Sequence, residues 1–206
     1  MAKLKAPLLS LGASQQLGKA LVFFAWKGLN VVREYVVPSN PKTTAQVTQR
    51  GYITAAVADI HAAMADATKP LVEVDKIAYA LWASIYADPR TWFNQAVKNW
   101  VDQKVATLLG TTFRGGKTTP GASQIAIEIY SDELDAVKIT AGNFHYGTSK
   151  TAMVNSIAAT ITGLSLKANA TITGLTTGVK YYIQFRPTAT ASYVGCRSGI
   201  YTDKAA

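Results

Sequence analysis

Hydrophobic and polar positions first alternate with the period of strands. Leu21, Phe23 and Ala25 fall on one side of a run, and Val22, Phe24 and Trp26 on the other. After Lys27-Gly28, the residues Leu29, Val31, Arg33, Tyr35 and Val37 share one face of a second run. The pattern predicts a β-hairpin within 19–37 that is apolar on both sides. Such a hairpin needs cover on both faces, from helices or from a second copy of the protein. Pro38 and Pro41 end it, because proline denies the ladder its N–H donors.

The period then changes to that of helices. Thr43 and Gln46 fit a capping box, and Tyr52, Ile53, Ala56, Val57, Ile60, Ala63 and Met64 recur at helical spacing, which predicts a helix over 44–66 closed by Lys69-Pro70. Ile77, Ala78, Leu81, Trp82 and Ile85 predict a second helix over 75–87. Asp88 as N-cap and Pro89 at the first helical position predict the start of a third. It carries Trp92, Phe93, Ala96, Val97, Trp100, Val101, Val105 and Leu108 and stops at Gly110.

Near residue 110 the composition changes from Ala, Trp and Gln to short alternating runs of Thr, Gly, Ile and Val. Residues 110–121, rich in Gly and Thr and closing on Pro120-Gly121, are expected to be a linker. The expected organisation is two domains: residues 1–118, an α+β unit of hairpin plus three helices, and residues 119–206, all-β. In the second, Ile125, Ile127 and Ile129 mark one strand. Val137 with Ile139, Phe144 with Tyr146, Ala170 with Ile172, and Tyr181, Ile183 and Phe185 mark others, and Ile200 with Tyr201 closes the set. About seven short strands separated by turn residues are the pattern of a β-sandwich.

Bulk properties narrow the class. With 206 residues, 49% hydrophobic and 16% charged, the chain suits packed cores and not a disordered polymer. No run approaches the length of a membrane span, and the short apolar run after Lys19 does not make a signal peptide, so the chain is expected to stay in the cytoplasm where it is made or to leave by another route such as cell lysis. One cysteine, Cys196, excludes an internal disulfide, and two histidines, His61 and His145, argue against a Cys/His zinc site. The net charge of +9 invites a nucleic-acid partner. However, residues 1–118 carry 14 Lys and Arg against 7 Asp and Glu, spread singly, and such dispersion suits a solvated surface better than a phosphate track.

The segment Ile172-Thr-Gly-Leu175-Thr-Thr-Gly178-Val-Lys-Tyr181-Tyr-Ile183-Gln-Phe185 resembles the corner between the fifth and sixth strands of fibronectin type III domains. The resemblance implies that Tyr181 is the corner tyrosine, with a packed ring and a hydroxyl bonded to nearby backbone. Ser198 to Thr202 resembles the last strand of that family. The departures are Thr177 where a proline is usual and no Trp on the second strand. The array Gly18-Lys19, Trp26-Lys27-Gly28, Arg33, Asn40 to Thr43, Gln46 and Gln49-Arg50 is similar to uncharacterised proteins of bacterial and tailed-phage genomes. That similarity implies a structural, virion-associated role.

Candidate chemistry is sparse. Gly115-Gly116-Lys117-Thr118 ends like a phosphate-binding loop, but Thr111 stands where the motif needs glycine, so it is expected to be linker. Asp132, Glu133 and Asp135 could ligate calcium, although a solvated turn explains them more simply. His61 and His145 have no nucleophile and orienting group beside them, and Cys196 reads as a small, partly buried strand residue. The sequon at Asn169 needs a secretion route to be used. Trp82 and Trp100 are expected in a core. Trp26 at a hairpin tip is an interface anchor, and with Lys27, Arg33, Asn40, Gln46 and Arg50 it forms the candidate subunit interface. Tyr193, in a loop between the last two strands, is a candidate recognition residue.

The sequence therefore leads to a non-enzymatic virion structural protein without a cofactor. It would anchor to itself and to other virion proteins through residues 1–118 and display the sandwich, which has a possible host-surface contact. The alternatives are a nucleic-acid-binding protein using the basic first domain and a bacterial surface adhesion protein.

Overall fold

The computed structural model describes residues 2–4, 15–37, 39–88, 90–131, 139–162 and 167–206. Alternation over 21–34 does produce a hairpin. Strands β3 (Leu21–Trp26) and β4 (Leu29–Glu34) pair antiparallel, with Phe23 opposite Val32 and Trp26 opposite Leu29. Lys27 and Gly28 both have positive φ, 51° and 76°, the type I′ turn whose twist suits a two-residue connection. The hairpin is extended on both sides, by β1 (Ala2–Leu4) along β4 and β2 (Gln15–Leu17) along β3, giving the order β1-β4-β3-β2.

Residues 1–43 form one compact unit and residues 44–206 another. The division thus falls between Thr43 and Thr44 and not near residue 118, and the three helices belong to the same unit as the sandwich. The reason lies in residues 110–121, which are not a linker. Strand β5 (Arg114–Gly121) runs through them and pairs with β6 (Gln124–Tyr130), with an irregularity between Arg114 and Lys117. Glycine and threonine there reflect a bulged edge strand, which composition alone does not separate from a flexible tether.

The helices of the second unit are α1 (Thr44–Ala65), α2 (Glu73–Ala83) and α3 (Trp92–Val105). α2 begins earlier and ends earlier than its apolar stripe suggests, because Asp75 accepts the Val72 N–H at 2.9 Å and fixes the first turn. The N-cap of α3 is Thr91, whose hydroxyl accepts the Asn94 N–H, and not Asp88. Pro38 and Pro89 lie outside the described residues, as do 132–138.

The remaining strands are β7 (Gly142–Gly147), β8 (Asn155–Ala158), β9 (Thr160–Thr162), β10 (Lys167–Thr173), β11 (Lys180–Pro187) and β12 (Tyr201–Lys204). They form two four-stranded antiparallel sheets, β5-β6-β10-β9 and β12-β11-β7-β8. Ile125, Ile127, Ile129 and Ile172 from the first sheet meet Phe144, Ile183, Phe185 and Tyr201 from the second in one core. Each such side chain contributes on the order of 1.5–3 kcal/mol by leaving water. Of the strand expected at Val137 and Ile139, only Ile139 is described; it is buried but not in a strand.

Side chains on β11 alternate, so its reverse face carries Tyr182 while Ile183 and Phe185 enter the core. Tyr182 packs with Ile200 against Ile60, Leu71, Tyr79, Trp82 and Ala96 of the helical layer. Trp82 and Trp100 are buried as core residues. Among the described residues no helix is long and apolar enough to cross a membrane.

Candidate functional site

The first unit holds most of the expected interface, and its chemistry follows from sheet geometry. Residues opposite one another across a strand pair share a face. Phe24, Trp26, Leu29, Val31 and Arg33 therefore line one face, with Leu21, Phe23 and Val32 on the other. Only Phe23 and Val31 are buried; Trp26 is 56% exposed and its cross-strand partner Leu29 46%. Leu17, Leu21, Val36 and Val37 are exposed as well. Arg33 is exposed and its guanidinium stacks on the Phe24 ring at 5.6 Å. Among the described residues the expected cover is therefore incomplete: each face of the sheet shields one large side chain.

Lys27 sits in the turn, exposed beside Trp26. Asn40, Gln46 and Arg50 are exposed too, Asn40 in the first unit and the other two on the first turns of α1 in the second. Sequence reasoning grouped all six. The structure brings Trp26, Lys27 and Arg33 onto one hairpin and assigns Asn40 to the segment that follows it. The flanking Leu17, Leu21 and Leu29, equally exposed, were missed because leucine in a strand reads as core.

Tyr193 does not present its ring at the surface as a recognition residue in an open loop would. It is 3% exposed and belongs to the sandwich core, at the end of a 3-10 turn, Ala191–Tyr193. Its neighbour Ser192 accepts the Leu109 N–H at 2.9 Å, which ties the loop down. A loop aromatic bounded by Ser and Gly is indistinguishable by pattern from an exposed one. Tyr181 is buried, and its hydroxyl accepts the Thr176 N–H at 3.1 Å, five residues back.

Titratable groups inside the second unit hold structure. Asp75 is fully buried at the start of α2, and its carboxylate accepts four hydrogen bonds. Oδ1 takes the Gly116 N–H at 2.9 Å and the Tyr201 hydroxyl at 2.7 Å; Oδ2 takes the N–H groups of Gly115 at 2.8 Å and Val72 at 2.9 Å. Gly115 has φ 61°, the left-handed conformation that aims two successive N–H groups at one anion. Burial, and then the Asp75 charge, hold the Tyr201 phenol protonated well above its usual range. Gly115-Gly116 thus cradles a carboxylate of its own chain, and no phosphate loop follows from it. No sequence signal beyond Gly-Gly marked Asp75.

Asp59 accepts the Thr112 hydroxyl at 2.6 Å, and burial raises its pKa. Burial also pushes the Cys196 thiol up to about 12, and the residue lies after the 3-10 turn, not on a strand. His61 is exposed on α1, with its ring 5.8 Å from Phe93. Asn169 lies on β10, and Asp132, Glu133 and Asp135 fall outside the described residues. Among the described residues no group of three or more His, Cys, Asp or Glu is arranged to hold a metal ion. In comparisons with known proteins, no family model matches the chain and no curated protein matches it.

Proposed function

We propose that the protein is a non-enzymatic structural component of a bacteriophage virion, a capsid- or tail-associated protein of the decoration type. It anchors through its first unit to copies of itself and to other virion proteins. The observation that carries this reading is the four-stranded sheet of residues 1–43. It leaves Trp26, Leu29, Leu17 and Leu21 substantially in water, whereas the second unit supplies its own core. Exposed aromatic and aliphatic side chains rimmed by Lys27 and Arg33 have the composition of an interface anchor.

The finer reading of the sandwich as fibronectin type III-like rests on two features. The strand order β5-β6-β10-β9 and β12-β11-β7-β8 is that of the immunoglobulin-type sandwich with one added edge strand. The Tyr181 hydroxyl bond to Thr176 has the form of a tyrosine corner. Such a sandwich serves as a displayed or spacing module, which agrees with an outward role but does not itself specify a ligand.

The test is assembly. Replacing Trp26 and Arg33 together, as Trp26→Ser and Arg33→Ser, leaves the helix signal and the cooperative unfolding of residues 44–206 unchanged and lowers the native mass by light scattering. The same pair of substitutions reduces its recovery with purified particles. A protein that is already monomeric and absent from particles would overturn the reading.

A further inference from the structure

Two arginines and a histidine are set around the face of β11 that looks away from the sandwich core. Arg186 and Gln184 lie two residues apart on β11 and so point the same way. His145 on β7 is directly opposite Gln184, hence diagonal to Arg186. The third, Arg197, precedes a segment laid along β11. There the Ser198 N–H donates to the Phe185 carbonyl at 3.1 Å, and the Ser198 carbonyl accepts from Gln184 Nε2 at 2.9 Å. Gln184 is thus fixed, and its Oε1 accepts Arg186 Nε at 3.1 Å, which sets the plane of that guanidinium. Asn99 of α3 donates to the Arg197 carbonyl at 3.3 Å and holds the same segment from the helical side.

Among the described residues no ion pair offsets this charge. The ion pairs among the described residues join Lys76 to Glu73, Lys98 to Asp102, Arg114 to Asp66 and Lys167 to Glu128, and none includes Arg186, Arg197 or His145. A partly buried guanidinium without a counter-charge is costly. Its neighbours register that cost: burial and then Arg186 and Arg197 lower the pKa of His145, and burial and then Arg197 lower that of Arg186. Arg197 also lines a groove of about 390 Å³ whose other walls include Trp82, Tyr86, Asn99 and Gln103, with room for the polar body of a ligand. Asp102 borders the groove too, but its carboxylate is engaged by Lys98.

We propose that Arg186, Arg197 and His145 form a binding site for a phosphate group. Two guanidinium groups and an imidazole offer forked and single N–H donors that match a tetrahedral oxyanion, and the fixed Arg186 loses little freedom on binding. This site is independent of the assembly reading above.

The probe is inorganic phosphate on the full chain, read by the proton resonances of the imidazoles. Only His61 and His145 contribute, and His61→Gln assigns them. Addition of about 10 mM phosphate, a range that detects millimolar affinity, shifts the His145 resonance and moves its titration midpoint upward. Chloride at equal ionic strength leaves both in place. Arg197→Gln, at an exposed position, weakens phosphate binding by about tenfold or more, the loss expected of one charge-assisted bond. Arg186→Gln does the same where it folds. Glucose 1-phosphate separates the sources of the group: tighter binding than phosphate places the sugar in the groove, and equal binding assigns the site to the phosphate alone. An equal response to chloride, or an unchanged affinity in Arg197→Gln, would overturn the proposal.

Discussion

At the scale of single residues, two aspartates do different work with the same chemistry. Asp75 is sealed from water and satisfied by three backbone N–H groups and the Tyr201 hydroxyl. Asp75→Ala would strand those donors in the interior and is expected to cost roughly 3–5 kcal/mol, the range for removing one side of a buried charged network. Urea unfolding measures it, and a loss below about 1 kcal/mol would mean that water replaces the carboxylate. Asp66 lies nearer solvent. Its Oδ1 accepts the N–H groups of Lys69 at 2.9 Å and Thr68 at 2.7 Å, and Oδ2 pairs with Arg114 at 2.9 Å. The Lys69 and Thr68 bonds lead in lowering its pKa to about 2 from an ordinary 3.8. Because the folded value is the lower one, the stabilisation is present above pH 3.8 and is lost as pH falls toward 2. The stability gap between wild type and Asp66→Asn should therefore narrow across that window in acid titrations followed by circular dichroism. A gap constant with pH would assign the effect to packing.

At the scale of elements, legibility tracked periodicity. The three helices and the strands through Ile125, Phe144, Ile172 and Ile183 stood out because long apolar repeats have one cheap solution. Residues 114–121 were hidden because a bulged edge strand is written in the same Gly and Thr as a tether. Of the candidate interface, Trp26, Lys27 and Arg33 were legible from a two-residue turn between apolar runs. Arg186 and Arg197, by contrast, are eleven residues apart in sequence, and their segments come together only through the Ser198 bonds to β11. The helical layer was readable as helices but not as a cover for the second sheet, since that depends on a close approach. The Ile200 N–H donates to the Ala78 carbonyl at 3.0 Å, and a Cβ on Gly199 would stand 2.8 Å from the Ala78 Cβ. Gly199→Ala must push α2 away from the segment that leads into β12. A cost of roughly 1–3 kcal/mol is expected, as for other overpacked sites, seen as a lower melting temperature with unchanged helix content. An unchanged melting temperature would show that α2 yields freely.

At the scale of the whole molecule, the two units differ in what they can do alone. Residues 44–206 bury two sheets against each other and pack a helical layer over them, so they supply their own core. Residues 1–43 bury just Phe23 and Val31 among their described large apolar side chains, too little to offset the ordering of a four-stranded sheet. Their order must draw on a partner surface if the sheet is an anchor. A chain starting at Thr44 should then unfold in one cooperative transition with its melting temperature within a few degrees of the full chain, yet sediment as a monomer under conditions where the full chain associates. The isolated 1–43 peptide should show little strand signal in circular dichroism until full-length protein is added. Equal association of the truncated and full chains would remove the anchoring role from the sheet and move the search for an interface to the surface of the second unit.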